Sequence, residues 1–135
     1  MTPAVLADRD AVVAVLHGYA HAVDARDLDA VAACFTADAA YEGRLGRGTV
    51  ADALRTLADA FVRYDATTHQ LHNVHVTVDG DVARTTADCV AWHRLRAGGW
   101  LVVAVTYHDR LVRTPDGWRI AARRVEPRWT RQEAA

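Results

Sequence analysis

The stretch that decides the fold is Val82-Ala-Arg-Thr-Thr-Ala-Asp-Cys-Val-Ala-Trp-His-Arg-Leu95. Its alternate positions differ in character. One set is mostly small or apolar and includes His93, whereas the other contains Arg84, Asp88 and Arg94. A period of two is typical of a β-strand with one face on a core. The pattern therefore predicts a strand over residues 82–95 with His93 on its inner face.

Similar segments lie on both sides of this strand. They predict further strands at residues 67–78, 100–113 and 118–125. The separators are Asp79-Gly-Asp81, Gly98-Gly99 and Pro115-Asp-Gly117, which are typical hairpin turns. The four segments are thus expected to form an antiparallel meander.

The region before these strands has a helical period. Its apolar residues recur at steps of four, three and four over residues 8–23, which is one face of an amphipathic helix. Those residues are Val12, Leu16, Tyr19 and Val23. The helix is expected to end near Asp24.

Two more helices are predicted from their starting residues. Asp27 is a good N-cap for a short helix that ends near Phe35, and Thr49-Val-Ala-Asp52 is a shortened capping box before a helix through Phe61. Residues 42–48 form a turn-rich connection. Helices followed by consecutive strands predict an α+β fold, with three N-terminal helices packed on a curved antiparallel sheet.

Length and charge limit the functional classes. The 135 residues, 51% of them hydrophobic, predict one domain over residues 1–135 with frayed ends at about 1–7 and 130–135. A formal net charge of −1 does not favour a nucleic-acid partner, so a small-molecule substrate is expected. No signal sequence or membrane-spanning stretch is recognisable, which favours a cytoplasmic protein without a membrane partner.

Several chemistries are excluded or disfavoured by residue type. The chain contains neither lysine nor serine, which excludes a Schiff-base lysine and a serine nucleophile. Cys34 and Cys89 are expected in the core, and their spacing does not suggest zinc. His17, His21 and Asp24 have a spacing that can present ligands to a metal, but His21 points away from the apolar helix face, so no metal is predicted. No cofactor is predicted either.

The inner face around His93 predicts a pocket. Its small Ala and Cys side chains fill space poorly opposite helices. The next strands are expected to add Tyr107, Trp118, Ile120 and Ala122 to that face. In residues 67–78 the inner parity changes from His69 and Leu71 to Val74 and Val76, and a bulge near His72 would account for this change.

The chain resembles a known superfamily in several segments. These are Tyr19-Ala-His-Ala-Val-Asp24, Thr68-His-Gln-Leu-His-Asn73, Tyr107-His-Asp-Arg110 and Asp116-Gly-Trp118, which are similar to the SnoaL-like branch of the nuclear-transport-factor-2-like (NTF2-like) proteins. The resemblance extends over about residues 8–129. It implies a cone-shaped α+β domain with a ligand pocket.

Within that superfamily the site pattern is most similar to that of scytalone dehydratase. The resemblance implies catalytic roles for Asp24, His69, His93 and Tyr41, with Asp24 supporting His69 as a base. The expected substrate-binding residues are Tyr19, Val23, Phe35, Leu57, Phe61, Asn73, Val105 and Tyr107. The implied reaction is dehydration, isomerisation or cyclisation of a cyclic ketone or polyketide-like compound.

Other functions of this fold remain open at this point. A non-catalytic ligand-binding or accessory domain, similar to an oxygenase β-subunit, is the main alternative, and the Asp24–His69 distance discriminates between the two. Epoxide hydrolysis is a third hypothesis, but it requires an Asp-Arg-Asp grouping in the pocket, which Asp88, Arg94 and Asp109 do not obviously supply. Apolar residues on the outer sheet face, including Trp92 and Trp100, predict a homodimer or higher homo-oligomer.

Overall fold

Two of the three helix starts follow the predicted caps in the computed structural model, which describes residues 1–135. Thr2 caps the first helix by accepting a hydrogen bond from the backbone N–H of Val5 at 3.2 Å, and Asp27 and Thr49 cap the next two in the same way. The helices are α1 (Pro3–Asp24), α2 (Leu28–Ala32) and α3 (Val50–Ala60), followed by a 3₁₀ turn at Phe61–Arg63. Three helices were predicted and three are present. The first begins five residues earlier than the sequence pattern indicated.

Six strands form one sheet. They are β1 (Phe35–Gly43), β2 (Gly46–Thr49), β3 (Tyr64–Asp79), β4 (Val82–Leu95), β5 (Trp100–Thr114) and β6 (Gly117–Glu133). The four strands β3 to β6 match the predicted meander. The last of them extends to Glu133, into the segment predicted to be frayed, because it pairs with β5 as far as Trp100.

The sheet is mixed rather than wholly antiparallel. Its strand order is β2-β1-β6-β5-β4-β3, and β1 runs parallel to β6 while every other pair is antiparallel. The prediction of an antiparallel sheet is wrong for this one pairing. No tight hairpin joins β1 to β6, since α3 and four strands lie between them along the chain, so local turn chemistry does not set their direction.

The β1–β2 hairpin was not predicted. The sequence pattern assigned Phe35 to the second helix and residues 42–48 to a connection, whereas both belong largely to strands. All four residues of β2 are exposed, so the strand lacks the alternation that reveals strands in sequence. Gly46 and Gly48 have φ angles of 116° and 149°, which glycine adopts readily. In sequence, however, a segment with this much glycine is typical of a loop rather than a strand.

A bulge in β3 confirms the predicted change of parity. The pairing with β4 shifts between His72 and His75, and Asn73 there has a φ of 52°. Before the bulge Thr67, His69 and Leu71 face inward, and after it Val74 and the following valines do. The bulge allows one strand to contribute a polar wall at one end and an apolar wall at the other.

A second bulge, in β6, was not predicted. Leu111 pairs with Ile120, but the preceding Arg110 pairs with Ala122, so Ala121 is an extra residue on β6. Consequently Ala122 does not continue the inner face as expected. Arg123 turns inward instead and is almost completely buried.

The core lies between the helices and the inner face of the sheet. The four predicted helix residues Val12, Leu16, Tyr19 and Val23 are all buried there. Small residues of β4, among them Ala87, Cys89 and Ala91, lie opposite and leave space near one end of the core. No helix is long and apolar enough to cross a membrane. Trp92 and Trp100 pack edge to face on the outer side, where the homo-oligomer stays a prediction.

Candidate active site

An apolar cavity of about 150 Å³ lies between the C-terminal part of α1, α3 and the inner face of the sheet. Hydrophobic residues form 13 of its 19 lining positions. Of the residues predicted from sequence, it is lined by Tyr19, Val23, Tyr41, Leu57, Phe61, His69, His93, Val105 and Tyr107. The strand parity that placed His93 above a pocket therefore agrees with the geometry.

Asp24 anchors one wall of this cavity from the last position of α1. Its Oδ1 accepts hydrogen bonds from His69 Nδ1 at 2.7 Å and from the Thr67 hydroxyl at 3.0 Å. Its Oδ2 accepts the backbone N–H of His69 at 2.9 Å. These three bonds offset the unfavourable position of a carboxylate at the C-terminus of a helix.

The protonation states in this contact follow from the hydrogen bonds. Burial on its own raises the pKa of Asp24, but the hydrogen bonds from the side chain and backbone of His69 and from Thr67 outweigh it and the pKa is lowered. Asp24 is consequently ionised near neutral pH and accepts the Nδ1–H of His69. In neutral His69 the lone pair is then on Nε2, the nitrogen not bound to Asp24.

His93 lies beside His69 on the neighbouring strand. The two rings are 6.0 Å apart between centroids, and Tyr64 packs on His93 at 4.7 Å. His93 Nδ1 donates to the backbone carbonyl of Leu101 at 3.1 Å. Burial lowers the pKa of His93, so its neutral form offers Nε2 as a hydrogen-bond acceptor.

Three tyrosines complete the polar part of the lining. Tyr19, Tyr41 and Tyr107 are each less than a tenth exposed, and burial raises the pKa of all three. Their phenols consequently remain protonated at physiological pH and can donate hydrogen bonds. Neutral donors in an apolar cavity suit an oxygen atom that gains negative charge.

Two arginines, Arg44 and Arg63, also line the cavity, and both are exposed at its rim. Arg44 lies in the turn between β1 and β2, and Arg63 ends the 3₁₀ turn. No aspartate or glutamate is among the lining residues. The mouth of the cavity is therefore electropositive.

The sequence of this chain matches a known family over most of its length. The family model described as the SnoaL-like domain matches residues 4–124. The chain is a SnoaL-like protein. An uncharacterised protein of Mycobacterium tuberculosis, Rv2910c, is 34% identical over 134 residues, which covers 93% of this chain and 88% of the relative.

Solved structures share the NTF2-like fold of this SnoaL-like chain. A protein from Novosphingobium aromaticivorans, provisionally assigned as a scytalone dehydratase, has a TM-score of 0.90 at 19% identity, with 100% of this chain and 93% of that chain covered. A hexachlorocyclohexane dehydrochlorinase, LinA-type3 from Novosphingobium barchaimii, has a TM-score of 0.84 at 18% identity, with 96% and 92% covered. At these identities the likeness establishes the cone-shaped fold.

Two predicted substrate-binding residues do not line the cavity of this SnoaL-like chain. Phe35 is buried in the core, where its ring packs edge to face with Tyr19 at 5.9 Å. Asn73 is exposed at the β3 bulge, and its amide donates to Asp88 at 3.3 Å. The structure does not bring these two residues to the cavity, because Phe35 begins β1 beneath α1 and the β3 bulge exposes Asn73.

Sequence reasoning missed Thr67, although a signal was available. Thr67 has the same strand parity as His69 and is two residues before it, so its hydroxyl had to lie on the same face. Arg44 and Arg63 gave no such signal, because each lies in a turn whose path depends on the rest of the fold.

A larger open groove of about 620 Å³ crosses the sheet elsewhere in the SnoaL-like domain. Only three of its 14 lining residues are hydrophobic, and its basic residues include Arg47, Arg84 and Arg110. It contains neither His69 nor His93. We place the candidate site in the smaller cavity, because apolar walls and a His–Asp contact are combined there.

Proposed function

We propose that this SnoaL-like chain is a cofactor-independent enzyme in which His69, held by Asp24, removes a proton from a cyclic substrate in the apolar cavity. The reaction class is dehydration, isomerisation or cyclisation of a cyclic ketone or polyketide-like compound. The observation that carries the proposal is the 2.7 Å contact between Asp24 Oδ1 and His69 Nδ1 at the cavity wall. A binding module has no need for an oriented base.

The first step is removal of a proton from the carbon next to a carbonyl group. His69 Nε2 accepts that proton, and the C–H electron pair moves into the carbonyl to form an enolate. A tyrosine hydroxyl in the lining donates a hydrogen bond to the enolate oxygen. Asp24 stabilises the imidazolium that forms, since it is already ionised and hydrogen-bonded to Nδ1.

The second step regenerates the base. In a dehydration, collapse of the enolate breaks the bond between carbon and a β-hydroxyl, and the His69 imidazolium returns its proton to the departing oxygen as water forms. In an isomerisation, the same proton returns to a different carbon. Either way His69 ends neutral and no external acid is consumed.

His93 has a different role in this scheme. Its Nδ1–H is committed to Leu101, and its lowered pKa favours the neutral ring. Nε2 therefore accepts a hydrogen bond, which orients a substrate hydroxyl beside His69. This gives a specific form to the catalytic role that the resemblance implies for His93.

The names of two fold relatives agree with this reaction class. One is provisionally a dehydratase and the other is a dehydrochlorinase. Both names describe eliminations. They support the proposal by analogy of fold, and the site residues themselves carry it.

The test is turnover of monocyclic β-hydroxyketones, beginning with 3-hydroxycyclohexanone, followed by the ultraviolet absorbance of the conjugated enone. His69→Gln is expected to reduce the rate by about 10²–10⁴-fold, the usual contribution of a positioned base. The control is His72→Gln, which removes an exposed histidine from the same strand and should leave the rate unchanged. Urea unfolding of both variants checks that the fold is retained.

A wild-type rate equal to that of His69→Gln would contradict the proposal. It would favour the alternative of a ligand-binding or accessory domain, in which the His–Asp contact only shapes the cavity. Hydrogen exchange at the α-carbon, measured with α-deuterated ketones, reports on the first step alone. A protein that exchanges the deuterium but forms no enone fails in the second step, whereas one that does neither fails in the first.

A further inference from the structure

The size of the cavity limits the substrate to a small ring. An apolar protein cavity of ~150 Å³ accommodates one benzene molecule. The cavity here has about the same volume, and its walls are mainly hydrophobic. One six-membered ring therefore fits inside, whereas a fused polycyclic system would extend well beyond the mouth.

The charges around the cavity have one sign. Arg44 and Arg63 contribute two guanidinium groups to the lining, and no carboxylate faces it. Asp24 lies behind His69, where three hydrogen bonds already occupy its oxygens. The mouth is thus electrostatically complementary to an anion.

Neither rim arginine is engaged elsewhere in an ion pair. Other exposed arginines do form ion pairs. Arg55 pairs with Asp52, and both Arg94 and Arg96 lie within 4.0 Å of Asp65. The chain has ten ion pairs, and none includes Arg44 or Arg63. Their donors are therefore available to a ligand.

The backbone beneath both arginines is held in place. Arg26 donates to the carbonyls of Phe61, at 2.7 Å, and of Tyr64, while the Arg96 N–H donates to the carbonyl of Arg63 at 2.9 Å. On the other side of the mouth, a Cβ on Gly43 would lie 2.7 Å from Val125 Cβ, so the turn that carries Arg44 packs tightly on β6. Fixed supports reduce the entropy cost of binding an anion at the rim.

We infer that the substrate is a monocyclic carboxylic acid, whose ring enters the cavity towards His69 while its carboxylate stays at the mouth between Arg44 and Arg63. A carboxylate matches the planar donor array of a guanidinium group. The inference rests on the proposed function in one respect, which is the part of the ring that faces His69 and reacts. The recognition of the anion itself does not depend on catalysis.

The experiment compares two probes of nearly the same shape, benzoate and benzamide, by isothermal titration calorimetry. Wild-type protein is expected to bind benzoate about tenfold more tightly at low salt, the effect of one charge-assisted contact. The variant Arg44→Gln/Arg63→Gln should lose this preference while still binding benzamide, which also shows that it is folded. Arg84→Gln, which removes one charge from the distant groove, should keep it.

Equal affinity for the two probes in the wild type, or no benzoate binding, would overturn the inference. So would a benzoate preference that survives in the double variant or is lost in Arg84→Gln, since the anion would then bind elsewhere. His69→Gln should keep the preference for benzoate. This variant separates the two proposals, because failure of His69 in the turnover assay leaves recognition of the carboxylate intact.

Discussion

Two side-chain contacts of a carboxylate in this protein, Asp24 with His69 and Asp109 with Arg123, differ in burial and in chemistry. Asp24 and His69 have side chains 26% and 10% exposed, and His69 lines the cavity with Asp24 behind it. Asp109 and Arg123 are 0% and 1% exposed, and two parallel hydrogen bonds of 2.8 Å join them in the core. The Arg123 guanidinium also lies over the rings of Tyr107 and Tyr19, at 4.0 and 4.3 Å.

The difference shows that surroundings, rather than the pairing itself, set what such a contact can do. Burial opposes the charge of Arg123, but the charge and hydrogen bonds of Asp109 outweigh it and raise the pKa of Arg123. Arg123 therefore keeps its proton at all physiological pH values. His69 differs because its second ring nitrogen, Nε2, is not bound to Asp24 and its side chain lines the cavity.

Breaking the buried contact should have the largest effect. Arg123→Met leaves Asp109 as an unpaired buried charge, so the free energy of unfolding is expected to fall by about 3–5 kcal/mol in urea titrations. Asp109→Leu/Arg123→Met should recover most of that loss, since no charge is then stranded. Arg124→Met, a change at the exposed neighbour on β6, should stay within about 0.5 kcal/mol. A similar small loss in Arg123→Met would show that the buried pair does not support the fold.

Breaking the cavity contact should instead reduce turnover with little loss of stability. Asp24→Asn can donate its amide N–H to His69 Nδ1, which places the ring proton on Nε2 and removes the base. The rate is expected to fall about a hundredfold. Asp27→Asn is the matched control, because asparagine caps a helix as well as aspartate does. Unchanged turnover in Asp24→Asn would assign the Asp24 carboxylate a structural role.

His93 is partly buried and has no carboxylate partner. Its contribution to the free energy of unfolding should therefore be the smallest of the three effects. Its pKa is lowered from 6.5, so the folded protein binds this proton more weakly than the unfolded chain. Its contribution to stability is complete above that value and is lost as the pH falls through 6.5 towards the lower pKa of the folded state. The unfolding free energy of wild type relative to His93→Gln should therefore decrease as the solution is acidified. A difference that stays constant or increases would contradict the burial of His93.

The meander was predictable because its signals are local. Alternation and turn residues identify each of β3 to β6 separately, and the parity of β4 placed His93 on the inner face without reference to any other strand. The N-caps Asp27 and Thr49 were likewise visible in sequence. The β1–β2 hairpin was not, because an exposed strand rich in glycine has neither alternation nor strong β-propensity.

The buried ion pair shows where a local signal was present but incomplete. Asp109 has the inner parity of β5, which it shares with Tyr107 and Leu111, and an inward carboxylate requires a partner. The partner could not be named, since Arg123 faces inward only because of the bulge at Ala121. Its Nη1 remains without a hydrogen-bond partner in the core.

The sequence by itself determined the α+β class, the four-strand meander, the inward side of His69 and His93, and the absence of lysine and serine chemistry. These follow from periodicity and residue type, which each short segment carries on its own. Only the tertiary structure decided that Asp24 contacts His69 across 45 residues, that Phe35 and Asn73 lie outside the cavity, and that two arginines without an ion-pair partner line its mouth. Those facts depend on how bulges and turns orient distant segments, and that orientation is fixed only when the whole chain is folded.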